Sequence, residues 1–297
     1  MSYAWSLPLE IAEHTAPISA PRFRCSHAGV VIPTFQDWEG LRETLEGILA
    51  CRPRPRLLVV VDDNFEDNAP RWLGRMPVTR IWYPGNRGPS VARNVGVRRL
   101  GRQGAEWVYF TDTGCLRAKW FFDAIASAVS TPHCVAVAGP VVGEVRSLEL
   151  DPINSFMTTE GILNPPMGTD GRPQAIVTAN ALVSMRAVMS VGGFDETYPF
   201  AAGEDLQLGI DLLRCGWIAW CPDAVVTHRF EECLVDFRKR FERYGRGTCH
   251  LACRNSLAIP KPSQIVAVQP ELQTLADLQI AAMSAGYVAH AERVRLI

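Results

Sequence analysis

The sequence has few of the features that announce a special environment. Its nine cysteines are odd in number and scattered, with no Cys-x-x-Cys pair, which argues against a disulfide scaffold and against a structural zinc site. Cys249-His250 followed by Cys253 comes nearest to a metal cluster, but it lacks a second half and reads as a helix face with small apolar thiols. A reducing cytosol fits that usage. No apolar run reaches the roughly 18 to 20 residues that span a bilayer, and the first residues lack a basic stretch followed by an apolar one. Net charge is almost absent too: the formal value is -1, so nothing draws the whole chain to nucleic acid. Arginines gather only locally, at 22–24, 52–56, 93–102 and 238–246, which suits a small anionic ligand better than a polymer.

What is present is enough apolar material for a large core: 47% hydrophobic residues over 297 positions, as one large domain or a domain with an appendage. Residues 1–26, with Pro8, Pro17 and Pro21 and no clear period, read as an irregular N-terminal arm. A regular pattern then begins. Gly29 to Ile32 is an apolar run stopped by Pro33-Thr34, and Trp38 to Leu49 has helical spacing. Further runs at Leu57 to Val61, Val78 to Trp82 and Trp107 to Phe110 end in Asp62-Asp63-Asn64, Pro84-Gly85-Asn86 and Thr111-Asp112. Runs without polar alternation suit strands buried on both faces, and helices between them, such as Ser90 to Leu100, imply a parallel sheet. Ligands bind such sheets at the carboxyl ends of the strands, where Pro33-Thr34, Asp62-Asp63 and Asp112 converge.

Residues 203–217 place Glu204-Asp205 in the first turn of an amphipathic helix. Leu206, Ile210, Leu212 and Leu213 form its apolar stripe, with Gln207, Asp211 and Arg214 elsewhere, and Gly216 ends it. A carboxylate there can act as a general base; acidic residues also simply favour the positive end of a helix dipole. Residues 149–175, rich in Pro, Gly, Asn and Thr, read as a binding loop or lid. After His228 come a basic, helix-prone stretch from Asp236 to Tyr244, then Gly245-Arg246-Gly247, and a helical tail broken by Pro260, Pro262 and Pro270.

Taken in order, Val30-Val31-Ile32-Pro33-Thr34, Val60-Val61-Asp62-Asp63, Asn86 to Asn94, Thr111-Asp112, Gly192-Gly193-Phe194-Asp195-Glu196, Gly203-Glu204-Asp205 and Val226-Thr227-His228 resemble the family 2 glycosyltransferases of the GT-A fold. The likeness covers roughly residues 28–250. It implies an α/β, Rossmann-like fold with a mixed, mostly parallel central sheet flanked by helices. The domain would span residues 27–235, with a C-terminal helical extension at 236–297 packed on it. It also implies inverting transfer of a sugar from a nucleotide-diphosphate donor, a UDP-, GDP- or dTDP-sugar, to a carbohydrate, lipid-linked or other small acceptor.

The same resemblance assigns roles. Asp63, with Asp62, would accept from a ring N–H of the base, and Pro33 and Thr34 would supply backbone contacts. Arg93 and Asn94 would reach a carboxylate or phosphate, whereas Arg98, Arg99 and Arg102 form a solvated face. Asp112 takes the first position of the Asp-x-Asp metal motif and His228 that of the histidine near the diphosphate. Gly114 stands where the second carboxylate belongs, so magnesium or manganese would rely on Asp112, His228, phosphate oxygens and water. Arg240 to Tyr244 partly matches the Gln-x-x-Arg-Trp of processive relatives, and Arg243 would neutralise the leaving diphosphate. The competing reading of 236–246 is an amphipathic helix on an anionic membrane, making the protein peripheral at its inner face. Asp205 would be the general base, with Glu204 orienting the acceptor or capping the helix. The rival function is a catalytically impaired nucleotide-sugar binding or scaffolding protein; the joint presence of Asp63, Arg93, Asp205 and His228 argues against it.

Overall fold

The structure, a computed structural model, describes residues 17–129, 133–144, 151–198, 200–230, 233–257 and 266–295. Expectations for residues 1–16 and 149–150 and for the breaks at Pro260 and Pro262 lie outside them. The elements in chain order are β1 (Ala28–Thr34), α1 (Trp38–Ala50), β2 (Leu57–Asp62), β3 (Thr79–Trp82), α2 (Pro89–Arg102), β4 (Trp107–Phe110), β5 (Cys115–Arg117), α3 (Phe121–Ala128) and β6 (Cys134–Ala138). There follow β7 (Val141–Gly143), α4 (Pro152–Thr159), β8 (Ala181–Ser184), α5 (Met185–Ser190), α6 (Glu204–Leu213), β9 (Trp217–Trp220), β10 (Val226–His228), α7 (Leu234–Arg254) and α8 (Gln273–Arg295).

Seven strands among the described residues form a sheet in the order β3-β2-β1-β4-β8-β6-β9. β3, β2, β1 and β4 run parallel, β6 and β9 run parallel, and β8 is antiparallel to both its neighbours, β4 and β6. Alternation along β1 explains why it reads as an unbroken apolar run. Val30 and Ile32 pack with Leu41, Leu45 and Ile48 of α1 on one face, and Val31 packs with Ala92, Val97 and Leu100 of α2 on the other. Each such fully buried aliphatic side chain contributes about 1.5–3 kcal/mol.

Pro33 does not stop β1, as the sequence suggested, but lies within it, paired with Val61. The ladder to β4 ends at Val31 opposite Phe110, so the N–H that proline lacks falls on the side where no partner strand continues. The apolar stripe of α6 also differs from expectation. Leu208, Ile210, Leu212 and Leu213 are buried and Leu206 is half-exposed, while Gln207 is buried and satisfied by Asn255 Nδ2 at 2.8 Å. The reason is that α6 is covered twice, by the sheet core at Leu208 and Leu212 and by Leu251 of α7 at Ile210.

Gly245-Arg246-Gly247 does not interrupt the C-terminal helix either: α7 is continuous from Leu234 to Arg254. A Cβ on Gly245 would run into the Met283 carbonyl of α8, and one on Gly286 into the Glu242 carbonyl, so the glycines let the two backbones touch. Phe156 of α4, Phe237 and Phe241 of α7, and Leu275 and Met283 of α8 share one apolar cluster. Cys249 is buried within it, but Cys253 is exposed, so the two thiols do not share one apolar face. No helix among the described residues is long and apolar enough to cross a membrane.

Candidate active site

Three of the chain turns meet above the carboxyl ends of β1, β2 and β4. Asp63 N–H donates to Thr34 O at 2.9 Å, and Gln36 N–H to Asn64 Oδ1 at 2.7 Å, locking the first two turns together. Asp63 is buried, and its two oxygens accept the backbone N–H groups of Arg87 and Gly88, each at 2.8 Å. The carboxylate thus shapes the loop entering α2 while each oxygen keeps a further lone pair. Asp62 is fully buried and more heavily engaged: Oδ1 accepts from Asn64 N and Nδ2, and Oδ2 from Arg80 of β3. It braces the sheet edge. Thr34 is buried with its hydroxyl turned to Asp37 O, so its local role is also the turn.

Asn94 does not present its amide to the open site. Nδ2 donates to Phe194 O at 2.8 Å and Glu196 Oε1 at 2.9 Å, and Oδ1 accepts from Phe194 N at 2.8 Å. The amide clamps α2 to the turn at 192–196. Gly193 of that turn sits at φ +80° with Asn94 Oδ1 where a Cβ would go, which explains a glycine there. Phe194, brought in by this clamp, lies edge-on to Phe110 and under the Arg93 guanidinium, 5.5 Å away.

Arg93 is the centre of the site. Nη1 donates to Glu204 Oε1 and Nη2 to Asp112 Oδ1, both at 2.9 Å, with Arg93 and Glu204 almost wholly buried. Asp112 is itself fixed by α1, whose Thr44 hydroxyl donates to Asp112 O at 3.3 Å. Asp205 is half-buried beside Glu204; Oδ1 accepts from Leu206 N at 2.9 Å and Oδ2 from Thr178 N at 3.2 Å. Burial pushes the Asp205 carboxyl above the usual carboxylate range, against the downward pull of Arg93 and of those two N–H groups. Burial and the Asp205 charge push Glu204 up as well, by more than Arg93 pulls it down. Glu204 Oε2 is buried without a hydrogen-bond partner among the described residues.

Thr178 reaches Asp205 because β8 runs backwards. Its amino end, preceded by a single 3-10 turn at Thr178–Asn180, lies at the same sheet edge as the carboxyl ends of β4 and β6. Thr111 Oγ1 donates to Ala179 O at 3.1 Å and ties this turn to the residue before Asp112. His228 ends the short sheet β5-β10-β7, in register with Cys115 and Gly143, which carries it toward Asp112. Its ring stacks on Phe230 at 4.7 Å, and Nδ1 lies 2.9 Å from Arg229 O.

A cavity of about 250 Å³ joins Arg93, Asp112, Glu204, Asp205, His228 and Arg243. The structure therefore brings these six expected residues together, and sets Asp62, Asp63, Pro33, Thr34 and Asn94 into the framework beside or behind them. The stretch expected to be a binding loop or lid instead begins its described part with the helix α4 (Pro152–Thr159), whose Phe156 and Met157 are buried in the C-terminal cluster; Ile162, Leu163 and Pro166, which follow it, line the same cavity, as does Met283 of α8. Sequence reasoning gave Arg240 and Tyr244 no role of their own, yet both line it. Spacing on α7 was the available signal, since Arg240 lies three residues before Arg243 and four before Tyr244, and residues three and four apart share a helix face. Nothing local signals Met283 or the Thr178 N–H.

A family model described as glycosyltransferase like family 2 matches residues 26–249. No curated protein sequence matches. Solved structures resemble the fold at low identity. A Pyrobaculum calidifontis mannosyltransferase bound to GDP-Man and Mn2+ aligns with TM-score 0.53 and 20% identity over 95% of this chain and 79% of its own. S. aureus TarS aligns with TM-score 0.53 and 15% identity over 90% and 73%. GalNAc-T7 with UDP, GalNAc and Mn2+ aligns with TM-score 0.53 and 14% identity over 68% and 43%.

Proposed function

Since the chain belongs to the glycosyltransferase-like family 2 and is a glycosyltransferase of the GT-A fold, we propose that the cavity around Arg93 is the seat of an inverting transfer from a nucleotide-diphosphate sugar, with Asp205 as general base. The observation that carries this reading is the contrast within the acidic pair. Both line the cavity, but Glu204 is almost wholly buried and holds Arg93, whereas Asp205 is half-exposed and has its carboxylate aimed by two backbone N–H groups.

The acceptor O–H attacks the anomeric carbon, its proton passes to Asp205, and the bond from that carbon to the diphosphate oxygen breaks, leaving the electron pair on the diphosphate. The nucleotide lies along the carboxyl ends of β1 and β2, where a remaining lone pair of Asp63 takes a ring N–H of the base. The acceptor enters past Ile162, Leu163 and Pro166.

The residues implied as cation ligands are Asp112 and His228, and these do not by themselves make a protein-held metal site. One Asp112 oxygen already accepts from Arg93, and no group of three or more His, Cys, Asp or Glu side chains stands close enough to hold an ion among the described residues.

Asp205→Asn tests the assignment. Loss of a general base costs about a hundredfold or more in kcat, measured as sugar transfer or donor hydrolysis with folding checked by circular dichroism. Near-full transfer by a folded Asp205→Asn protein would remove Asp205 from the role.

A further inference from the structure

Asp112 is the natural anchor for a divalent cation, but a fixed cation is already bound to it. The Arg93 guanidinium spans Asp112 and Glu204, 2.9 Å from each, and is itself buried. Two residues on, Gly114 offers no side-chain ligand and holds φ +75°, a conformation that an acidic side chain adopts only with strain. Ions of the magnesium type are held by one or two carboxylates, with the remaining positions filled by phosphate and water. Here the one carboxylate of the Asp-x-Asp position is shared with an arginine that competes for it, and of the other two in the cavity Glu204 is held by the same arginine and Asp205 by two backbone N–H groups.

Positive charge is supplied from another side of the cavity. α7 places Arg240 and Arg243 one turn apart on the lining, with Tyr244 beside them. Arg240 Nη1 donates to Tyr244 Oη at 3.1 Å, and its guanidinium lies 5.3 Å from the Phe230 ring, which fixes its direction. Among the described residues Arg243 forms no ion pair, and its buried Nε has no hydrogen-bond partner. A buried guanidinium donor without an acceptor costs free energy until an anion supplies one.

We infer that this enzyme neutralises the diphosphate of its donor with the α7 guanidinium groups, chiefly Arg243, instead of a protein-held divalent cation, and that Arg93 occupies the cation's place at Asp112. This rests on reading the cavity as the donor site. As the bond between sugar and diphosphate breaks, the electron pair stays on the diphosphate oxygen, and the new negative charge is met by guanidinium N–H donors.

Calorimetric titration of the full chain with UDP, GDP and dTDP, once in EDTA and once in manganese, reads this without any turnover. At least one nucleoside diphosphate should bind in EDTA with a Kd within about threefold of its manganese value. Arg243→Ala should weaken that binding by about tenfold or more, and Arg243→Lys should recover much of it, with thermal unfolding confirming that both variants fold. Binding tightened tenfold or more by manganese, no binding in EDTA, or wild-type affinity in Arg243→Ala would each overturn the inference. The base assignment fails separately: an active Asp205→Asn protein sinks that role and leaves the titrations as they stand.

Discussion

At the scale of single residues, the site is organised by one guanidinium facing three carboxylates. Burial opposes the charge on Arg93, but Asp112, Glu204 and Asp205 more than compensate and hold it protonated at any working pH. Removing Glu204 leaves Nη1 of a buried guanidinium without its acceptor, while Asp112 still holds Nη2. Glu204→Ala should therefore lower the unfolding free energy by about 1–3 kcal/mol in urea titrations, and Glu204→Gln, which keeps an acceptor for Nη1, by clearly less. Wild-type stability in Glu204→Ala would contradict the burial of that pair.

The raised carboxyls also set a pH dependence with a definite sign. Glu204 and Asp205 hold their protons more tightly folded than unfolded. Between the ordinary carboxylate range and the raised values the folded state binds more protons, so stability is greater on the acid side and falls as pH rises through the folded-state values. Glu204→Gln should flatten part of that slope in unfolding curves collected across the range. Activity moves the other way. A base must be unprotonated, so the acid limb of the kcat/KM profile should lie above the ordinary carboxylate range, and a limb at the unshifted position would count against an enclosed Asp205.

At the scale of elements, the C-terminal helices show how a glycine can mislead. In the sequence, Gly245 and Gly247 look like punctuation after a basic helix, because glycine is locally unfavourable in helices. In the structure they are where α7 meets α8 and the loop before α6, with Gly247 against the Ala202 carbonyl. A contrast between two helical glycines checks this. Gly286→Ala gains helix propensity but must push α8 off the Glu242 carbonyl, for a net loss of about 1–3 kcal/mol. Gly47→Ala in α1 meets nothing and should gain about 0.5–1 kcal/mol. Thermal unfolding of both decides, and stabilisation by Gly286→Ala would mean the helices have room to spare. Asn94 teaches the same point at the site: its position near the strand ends is legible, but its partners lie 100 residues away in the turn at 192–196, and no local pattern names them.

For the whole molecule, legibility divides along the sheet. The first half is readable because β1, β2 and β4 are unbroken apolar runs that lead into Thr34, Asp62 and Thr111-Asp112, whereas β3 at the sheet edge carries Arg80 and is only half-buried; the convergence of those ends on one site follows from parallel strands. The second half is not. Runs as short as Cys134–Ala138 or Ala181–Ser184 are compatible with strand or buried helix by pattern alone, and their order and direction depend on pairing that no local period encodes. Glu204-Asp205 stood out as the acidic start of a helix, but the partnership of Glu204 with Arg93 spans 111 positions and emerges only from the assembled sheet.

The backward course of β8 carries one further implication. Among the described residues, the parallel group β3-β2-β1-β4 and the parallel pair β6-β9 are joined in the sheet only through β8, whose ladders run to β4 on one side and β6 on the other. Any breathing motion that parts the two halves must open one of those two ladders, and the amides of Leu182 and Val183, successive residues in the middle of β8, serve opposite neighbours. In native-state hydrogen exchange those amides should accordingly be among the last to take up deuterium, at a free energy close to that of global unfolding. Early exchange there would reveal two halves that separate while each stays folded. The cavity, which draws Arg93 and Asp112 from one half and Asp205 from beyond the other, would then open along that seam.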